Sequence, residues 1–248
     1  MMRPVLHFAC SVVTALFFCG MAGAEELVSD SFDSASGAAK GRAVEAGDAQ
    51  WKAQPQLVVN ESGQLQLDAS EGKPAGSAVV ELAGVSLPVT LEATVTIGGD
   101  KGSIYLGFAN TDSLMPNADP AKLEHAAGGP YMQVLSTGHQ LLFPGPGLSE
   151  ALYRTAKDPN NKALPSGTHV VELTVSESEG QLVATLAVND KVVADQVVVA
   201  VADAAFRPTC QYAFIRFQGV GNVSDFLVDH FAVRLGAESD AAVSEPGF

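Results

Sequence analysis

The residues of this chain that could do chemistry lie on stretches where polar and apolar side chains alternate. That alternation sets Glu92, Tyr105, Gln133, Glu172, Arg216 and Gln218 on the polar side of their segments, with Thr94 and Thr174 beside them. Planar hydrogen-bonding groups around an aromatic ring are what recognition of a polyol requires. Tyr131 and Tyr153 could add further rings from adjoining loops. Asp229 is of a different kind. It shares parity with Leu227, Phe231, Val233 and Leu235 and so falls on an apolar face. A carboxylate there must be hydrogen-bonded, paired or metal-bound. Calcium shared with backbone carbonyls is one solution, and a turn-capping role is the other.

Other chemistries lack their motifs. There is no Gly-x-Ser-x-Gly, no His-Glu-x-x-His and no glycine loop built to cradle phosphate. His125, His139, His169 and His230 are too scattered for metal-ligand spacing, and His169 alternates with core valines. Cys210 has no histidine near it in sequence and sits beside an apolar strand, which reads as a buried structural thiol.

The elements that must position these groups are short strands. Val89, Leu91, Ala93, Val95 and Ile97 alternate with Thr90, Glu92, Thr94 and Thr96, and the runs from His169 and Gln181 repeat the pattern. Asn189-Asp190 between Val188 and Val192 predicts a β-hairpin. Further strands are expected at 26–32, 56–60, 64–68, 77–82, 103–109, 131–136, 139–143, 212–218 and 225–235. So many short strands, separated by Gly, Pro and Asn, predict an all-β fold of two packed antiparallel sheets. One short helix is expected at Ser149–Thr155, with Ser149 as N-cap and Glu150 in its first turn. It lies in one of two long loops, 110–129 and 144–167, whose length suits a lid or a binding edge.

Met1–Ala24 has a basic start at Arg3, an apolar run from Val5 to Phe18 and Ala22-Gly23-Ala24 before Glu25. That is the pattern of a secretory signal peptide cleaved after Ala24, so the mature protein is expected to be periplasmic or secreted. One domain then fills 25–236, and the small acidic tail 237–248 reads as disordered. Loss of Arg3 leaves 13 basic against 28 acidic residues, a net charge of −15. Such a surface repels nucleic acid and anionic membrane. No later apolar run is long enough for a membrane span. Cys10 and Cys19 leave with the leader, so Cys210 has no internal disulfide partner and stability must come from core burial.

The order of segments carries a resemblance. Ser29-Asp30-Ser31-Phe32-Asp33 precedes the lone Trp51. Val59–Leu67, the hairpin Leu186–Val193 and the closing run Phe226–Val233 follow. Over roughly residues 26–235 this resembles the concanavalin A-like lectin/glucanase superfamily, including laminin-G-like domains of bacterial secreted proteins. The resemblance implies a jelly roll whose concave sheet holds carbohydrate, with the six polar residues above as its floor. It also implies that the first strand lies beside the last. Asp30 or Asp33 would then stand near Asp229, as a calcium site would require. Glucanases of the superfamily use a strand bearing Glu-x-Asp-x-x-Glu, in which one carboxylate attacks the sugar and another protonates the leaving oxygen. Here Glu172–Glu177 keeps the outer acids, but Thr174 replaces the aspartate and Glu177 is expected in the following turn. Gly102–Leu106 faintly resembles the central strand of secreted 3-keto-glycoside hydrolases of the same fold. The expectation is therefore a non-catalytic module for glycan or another surface polymer. A glycoside hydrolase with a non-standard site is the alternative, and a protein-binding domain fits the same fold.

Overall fold

The computed structural model of the protein describes residues 24–68, 75–98, 102–110, 112, 128–135, 138–142, 151–154, 164–199, 210–219 and 226–236. All of the expected leader at 1–24 except Ala24, the tail from 237 on and most of the two long loops lie outside the described residues. The strands run in chain order as β1 (Glu26–Asp30), β2 (Gly37–Ala38), β3 (Lys52–Ala53), β4 (Leu57–Val59), β5 (Leu65–Leu67) and β6 (Ala75–Glu81). Next come β7 (Val89–Ile97), β8 (Ser103–Ala109), β9 (Gly128–Leu135), β10 (Gly138–Leu142) and β11 (Ala151–Arg154). The last are β12 (Gly167–Ser178), β13 (Gln181–Val188), β14 (Lys191–Val198), β15 (Tyr212–Gln218) and β16 (Phe226–Leu235). They form two antiparallel sheets, as the alternation predicts. One has nine strands in the order β14-β13-β12-β7-β16-β5-β4-β2, with β1 also on β16. The other has seven, in the order β11-β10-β9-β8-β15-β6-β3. The first strand does lie beside the last, with Asp30 opposite Phe231.

The core lies between the sheets. The odd residues of β7 and of the centre of β12 are buried from the nine-stranded side. Ile104, Leu106, Phe108, Met132, Val134, Ile215 and Phe217 meet them from the seven-stranded side. Burying that apolar area is the main term favouring the fold. The hairpin between β13 and β14 turns at Asn189 and Asp190, whose φ of 50° and 61° are those of a primed two-residue turn. Asn189 holds its start: its Oδ1 accepts the Val170 N–H at 2.9 Å and its Nδ2 donates to His169 Nδ1 at 3.1 Å. The other ring nitrogen of His169 donates to the Pro165 carbonyl at 2.8 Å, so this buried histidine is held on both sides.

The end of β1 is built as a polar corner inside the core. Phe32 is buried with φ 61°, a left-handed conformation unusual for an aromatic residue. Asp30 holds it there by accepting the Phe32 N–H at 2.8 Å through Oδ1, while Oδ2 accepts Trp51 Nε1–H at 2.7 Å. Arg42 Nε lies 3.5 Å from the same oxygen. Trp51 packs edge-on against Phe231 with ring centroids 5.3 Å apart.

Three sequence expectations are corrected. Ala151–Arg154 is no helix but strand β11, antiparallel to β10. A helix of under two turns is marginal alone, whereas the open edge of β10 supplies a ready hydrogen-bond ladder. Glu177 belongs to β12, which runs on through Ser178; the turn that follows is carried by Glu179 and Gly180, at φ 52° and 73°. Asp229 does not face the core. The register of β16 on β7 slips between Val228 and His230, leaving Asp229 as the extra residue of a β-bulge. Before the bulge Phe226 and Val228 point inward; after it Phe231 and Val233 do. Parity counted across the bulge therefore gives the wrong face. Among the described residues, no helix is long and apolar enough to cross a membrane.

Candidate functional site

The six polar residues expected on one floor are divided between two faces. Glu92 and Glu172 lie on the outer face of the nine-stranded sheet, opposite one another across β7 and β12. Tyr105, Gln133, Arg216 and Gln218 lie on the outer face of the seven-stranded sheet. The whole sandwich separates the two groups, because stacked sheets stand about 10 Å apart.

On the seven-stranded sheet the register makes one continuous rung. Ser77 of β6 faces Arg216 of β15, Arg216 faces Tyr105 of β8, and Tyr105 faces Gln133 of β9. At about 4.8 Å between strands, these residues span roughly 14 Å. Gln133 Nε2 donates to the Tyr105 hydroxyl at 2.8 Å. The backbone rung continues through Gln140 and Arg154.

Arg216 is the unusual member. It is only 3% exposed although its side chain points away from the core. Its Nη1 is 3.5 Å from Ser77 Oγ, at the outer limit of a hydrogen bond. Among the described residues, Nε and Nη2 have no hydrogen-bond partner, and neither has the buried Oε1 of Gln218 two residues along the strand. Burial pulls the Arg216 guanidinium below its ordinary pKa, while Tyr105 and Tyr131 nearby pull it up. An arginine still carries its charge under such conditions.

Aromatic side chains border the rung. Phe214, two residues before Arg216, is buried on the same outer face, and Tyr131 packs on it with ring centroids 5.9 Å apart. Tyr105 stands 6.1 Å from Tyr131. Gly107 lies between Phe214 and Tyr131 in register, and a Cβ there would run into the Cα and Cβ of Tyr131. Tyr131 is thus on a strand, not a loop. Val79 and Ala109 complete this second apolar cluster. The signal for it was present in Tyr-Ala-Phe-Ile-Arg-Phe-Gln of β15, where both parities carry aromatics, the mark of a strand buried on both faces. Ser77 had no such signal; only the pairing of β6 with β15 brings it to the rung.

The other face carries an ion-pair network. Arg234 Nη1 donates to Glu92 Oε2 at 2.8 Å, and its Nε lies 3.6 Å from Glu26. His230 Nε2 is 3.8 Å from the other oxygen of Glu92. Burial, then Glu92 and Asp190, raise the pKa of Glu172, and Arg234 offsets part of this. Glu172 and Glu177 cannot act as the two acids of a glucanase strand. The register of β12 on β13 is unbroken from Val171 to Ser178, so with no bulge between them the five-residue spacing turns these two acids to opposite faces. Glu92 and Glu172 are the adjacent pair, and Glu92 is tied down by Arg234.

The three aspartates do not converge. Asp30 is buried and its oxygens are taken by Phe32, Trp51 and Arg42. Burial, its largest influence, raises its pKa; the Phe32 and Trp51 hydrogen bonds and Arg42 oppose that. Asp33 is exposed and accepts the Ser31 hydroxyl at 3.2 Å. Asp229 accepts from Gln64 Nε2, and from Thr96 Oγ1 at 3.4 Å. Among the described residues, no three His, Cys, Asp or Glu side chains come together as metal ligands would.

No protein-family model matches the sequence, and no curated protein matches it. Solved structures of similar fold exist. An endo-1,3-β-glucanase from Streptomyces sioyaensis is 12% identical, with 87% of this chain and 98% of that one covered and a TM-score of 0.48. A Bacillus subtilis protein of unknown function with a galectin-like fold is 10% identical, with 85% and 96% covered and a TM-score of 0.46. The lumenal domain of VIP36 with calcium and Man3GlcNAc bound is 11% identical, with 77% and 89% covered and a TM-score of 0.42.

Proposed function

We propose that this chain is an exported β-sandwich module that binds carbohydrate, as a free glycan or a surface polymer, without cleaving it. Its site is the outer face of the seven-stranded sheet. The observation that carries the reading is the rung Ser77–Arg216–Tyr105–Gln133, whose Arg216 is buried with two N–H-bearing nitrogens unpartnered among the described residues. Buried polar groups are normally satisfied, and an exception calls for an explanation such as a ligand. A row of fixed planar donors and acceptors beside the partly exposed Tyr105, which the buried Tyr131 backs, suits a sugar, whose ring offers hydroxyls at its edge and C–H groups on its face.

The hydrolase alternative would rest on Glu92 and Glu172. Those carboxylates lie on the opposite side of the sandwich from the rung, and the Glu-x-Asp-x-x-Glu pattern is broken at Thr174. Both points favour the non-catalytic reading. Export rests on the leader: protein recovered from the periplasm or medium should begin at Glu25 on N-terminal sequencing, and an intact Met1 would refute it.

The test of binding is affinity electrophoresis over a panel of neutral and acidic polysaccharides, followed by calorimetry. At least one polymer should retard the protein, and Tyr105→Ala with Gln133→Ala should abolish the retardation. No retardation by any polymer, or turnover of a glycoside lost in Glu172→Gln, would overturn the reading.

A further inference from the structure

Arg216 narrows the class of sugar, an argument that rests on the binding reading above. Of its three nitrogens, Nη1 is the one turned to Ser77, while Nε and Nη2 are buried and have no partner among the described residues. Nε and Nη2 are neighbours on one edge of the guanidinium plane, and their N–H bonds leave that edge in parallel. Two parallel donors at that spacing match two oxygens of one planar or tetrahedral oxyanion. A neutral sugar can set two vicinal hydroxyls against the same edge, but it brings no negative charge to offset the buried guanidinium. The three side chains in register around Arg216, Ser77, Tyr105 and Gln133, are uncharged, and no ion pair to Arg216 is present among the described residues. A buried cation without a counter-charge is costly, so an anionic ligand gains most here.

We propose that the sugar bound at this face carries an oxyanion, a uronate carboxylate or a sulfate ester, held bidentately by the Nε/Nη2 edge of Arg216. Gln218 lies about 7 Å further along the same strand face, where it would meet the adjoining sugar rather than the anion. The net charge of −14 works against such a ligand at long range. That makes the salt dependence diagnostic. Raising ionic strength screens the repulsion between acidic surface and acidic polymer more than it weakens a buried contact. Affinity should therefore hold or rise from low to physiological salt, the reverse of a basic-patch binder.

The experiment is calorimetry of the purified protein with oligogalacturonate and oligoalginate, a sulfated galactan oligosaccharide, fully methyl-esterified oligogalacturonate, and a neutral glucan oligosaccharide. Binding of any acidic oligosaccharide at least 10-fold tighter than of the esterified and neutral ones supports the proposal. Uronates binding without the galactan assigns the anion as carboxylate, and the reverse assigns it as sulfate. Arg216→Lys, which keeps the charge but not the fork, should lose 10-fold or more in affinity at unchanged melting temperature. Neutral ligands binding as well as acidic ones would overturn this inference and leave the carbohydrate reading standing. Binding to none of the five would overturn both. Wild-type affinity in Arg216→Lys, or affinity that falls steeply with salt, would also overturn the bidentate assignment. The esterified ligand needs no variant, so a misfolded Arg216→Lys would not remove the test.

Discussion

Asp30→Ala should destabilise the protein by about 2–6 kcal/mol. The carboxylate accepts the Phe32 N–H at 2.8 Å and Trp51 Nε1–H at 2.7 Å, and all three groups lie in residues buried at the core. Removing it leaves two buried donors unpaired, at about 1–3 kcal/mol each. It also frees Phe32 from a left-handed φ of 61° and leaves Arg42 beside an empty corner. Asp30→Asn should cost less, because the amide keeps one acceptor and removes the burial penalty on the negative charge, although its NH2 then faces the second donor. The protein's single Trp is Trp51 itself, so urea unfolding followed by its fluorescence reads this corner directly. The pH dependence adds a sign. Burial raises the folded-state pKa of Asp30 above its ordinary value. Its contribution is then complete below the ordinary carboxylate pKa and is partly lost as pH rises through the raised folded value. The stability gap between wild type and Asp30→Ala should therefore be wider at pH 4 than at pH 7. A loss below about 1 kcal/mol for Asp30→Ala, or an equal loss for Asp30→Asn, would refute the account.

Four other outcomes follow from the geometry. Gly107→Ala should lower the melting temperature and abolish ligand binding together, because its methyl meets Tyr131 main-chain and Cβ atoms; overpacking of this kind costs about 1–3 kcal/mol. Cys210 is buried, with its thiol pushed up to about 12, so it should resist a disulfide reagent at pH 8 until urea is added. Glu172→Gln should stabilise the protein by about 0.2–1 kcal/mol near neutrality, since like charges stand opposite across β7 and β12. As burial and Glu92 raise its pKa, the gain should vanish as pH falls below the ordinary carboxylate range. Millimolar calcium or chelator should leave the melting temperature unchanged, because Asp30, Asp33 and Asp229 hold three separate sets of partners.

Period-two alternation was enough to locate the principal strands, since a half-buried strand must bury every second residue wherever it lies in the chain. Val89–Ile97 runs as the alternation marks it, and the Asn189-Asp190 turn is local backbone chemistry that needs no tertiary partner. The two-sheet architecture followed from the number of such strands. The membership of the candidate site did not follow. Alternation says that Glu172 and Arg216 point away from the core, but each of two sheets has an outer face, and only strand pairing assigns a residue to one of them. Asp229 fails for a related reason: a single extra residue in β16 reverses parity, and a bulge leaves no mark in the alternation that defines it. Strand β11 depends on an edge offered from elsewhere in the chain, whereas Ser149 and Glu150 signalled only a local preference. What the chain alone determined is the principal strands and, where no bulge interrupts them, the side chains each turns outward. What tertiary structure decided is which of those side chains share a face, because hydrogen-bonded register between distant strands sets that, and composition does not encode it.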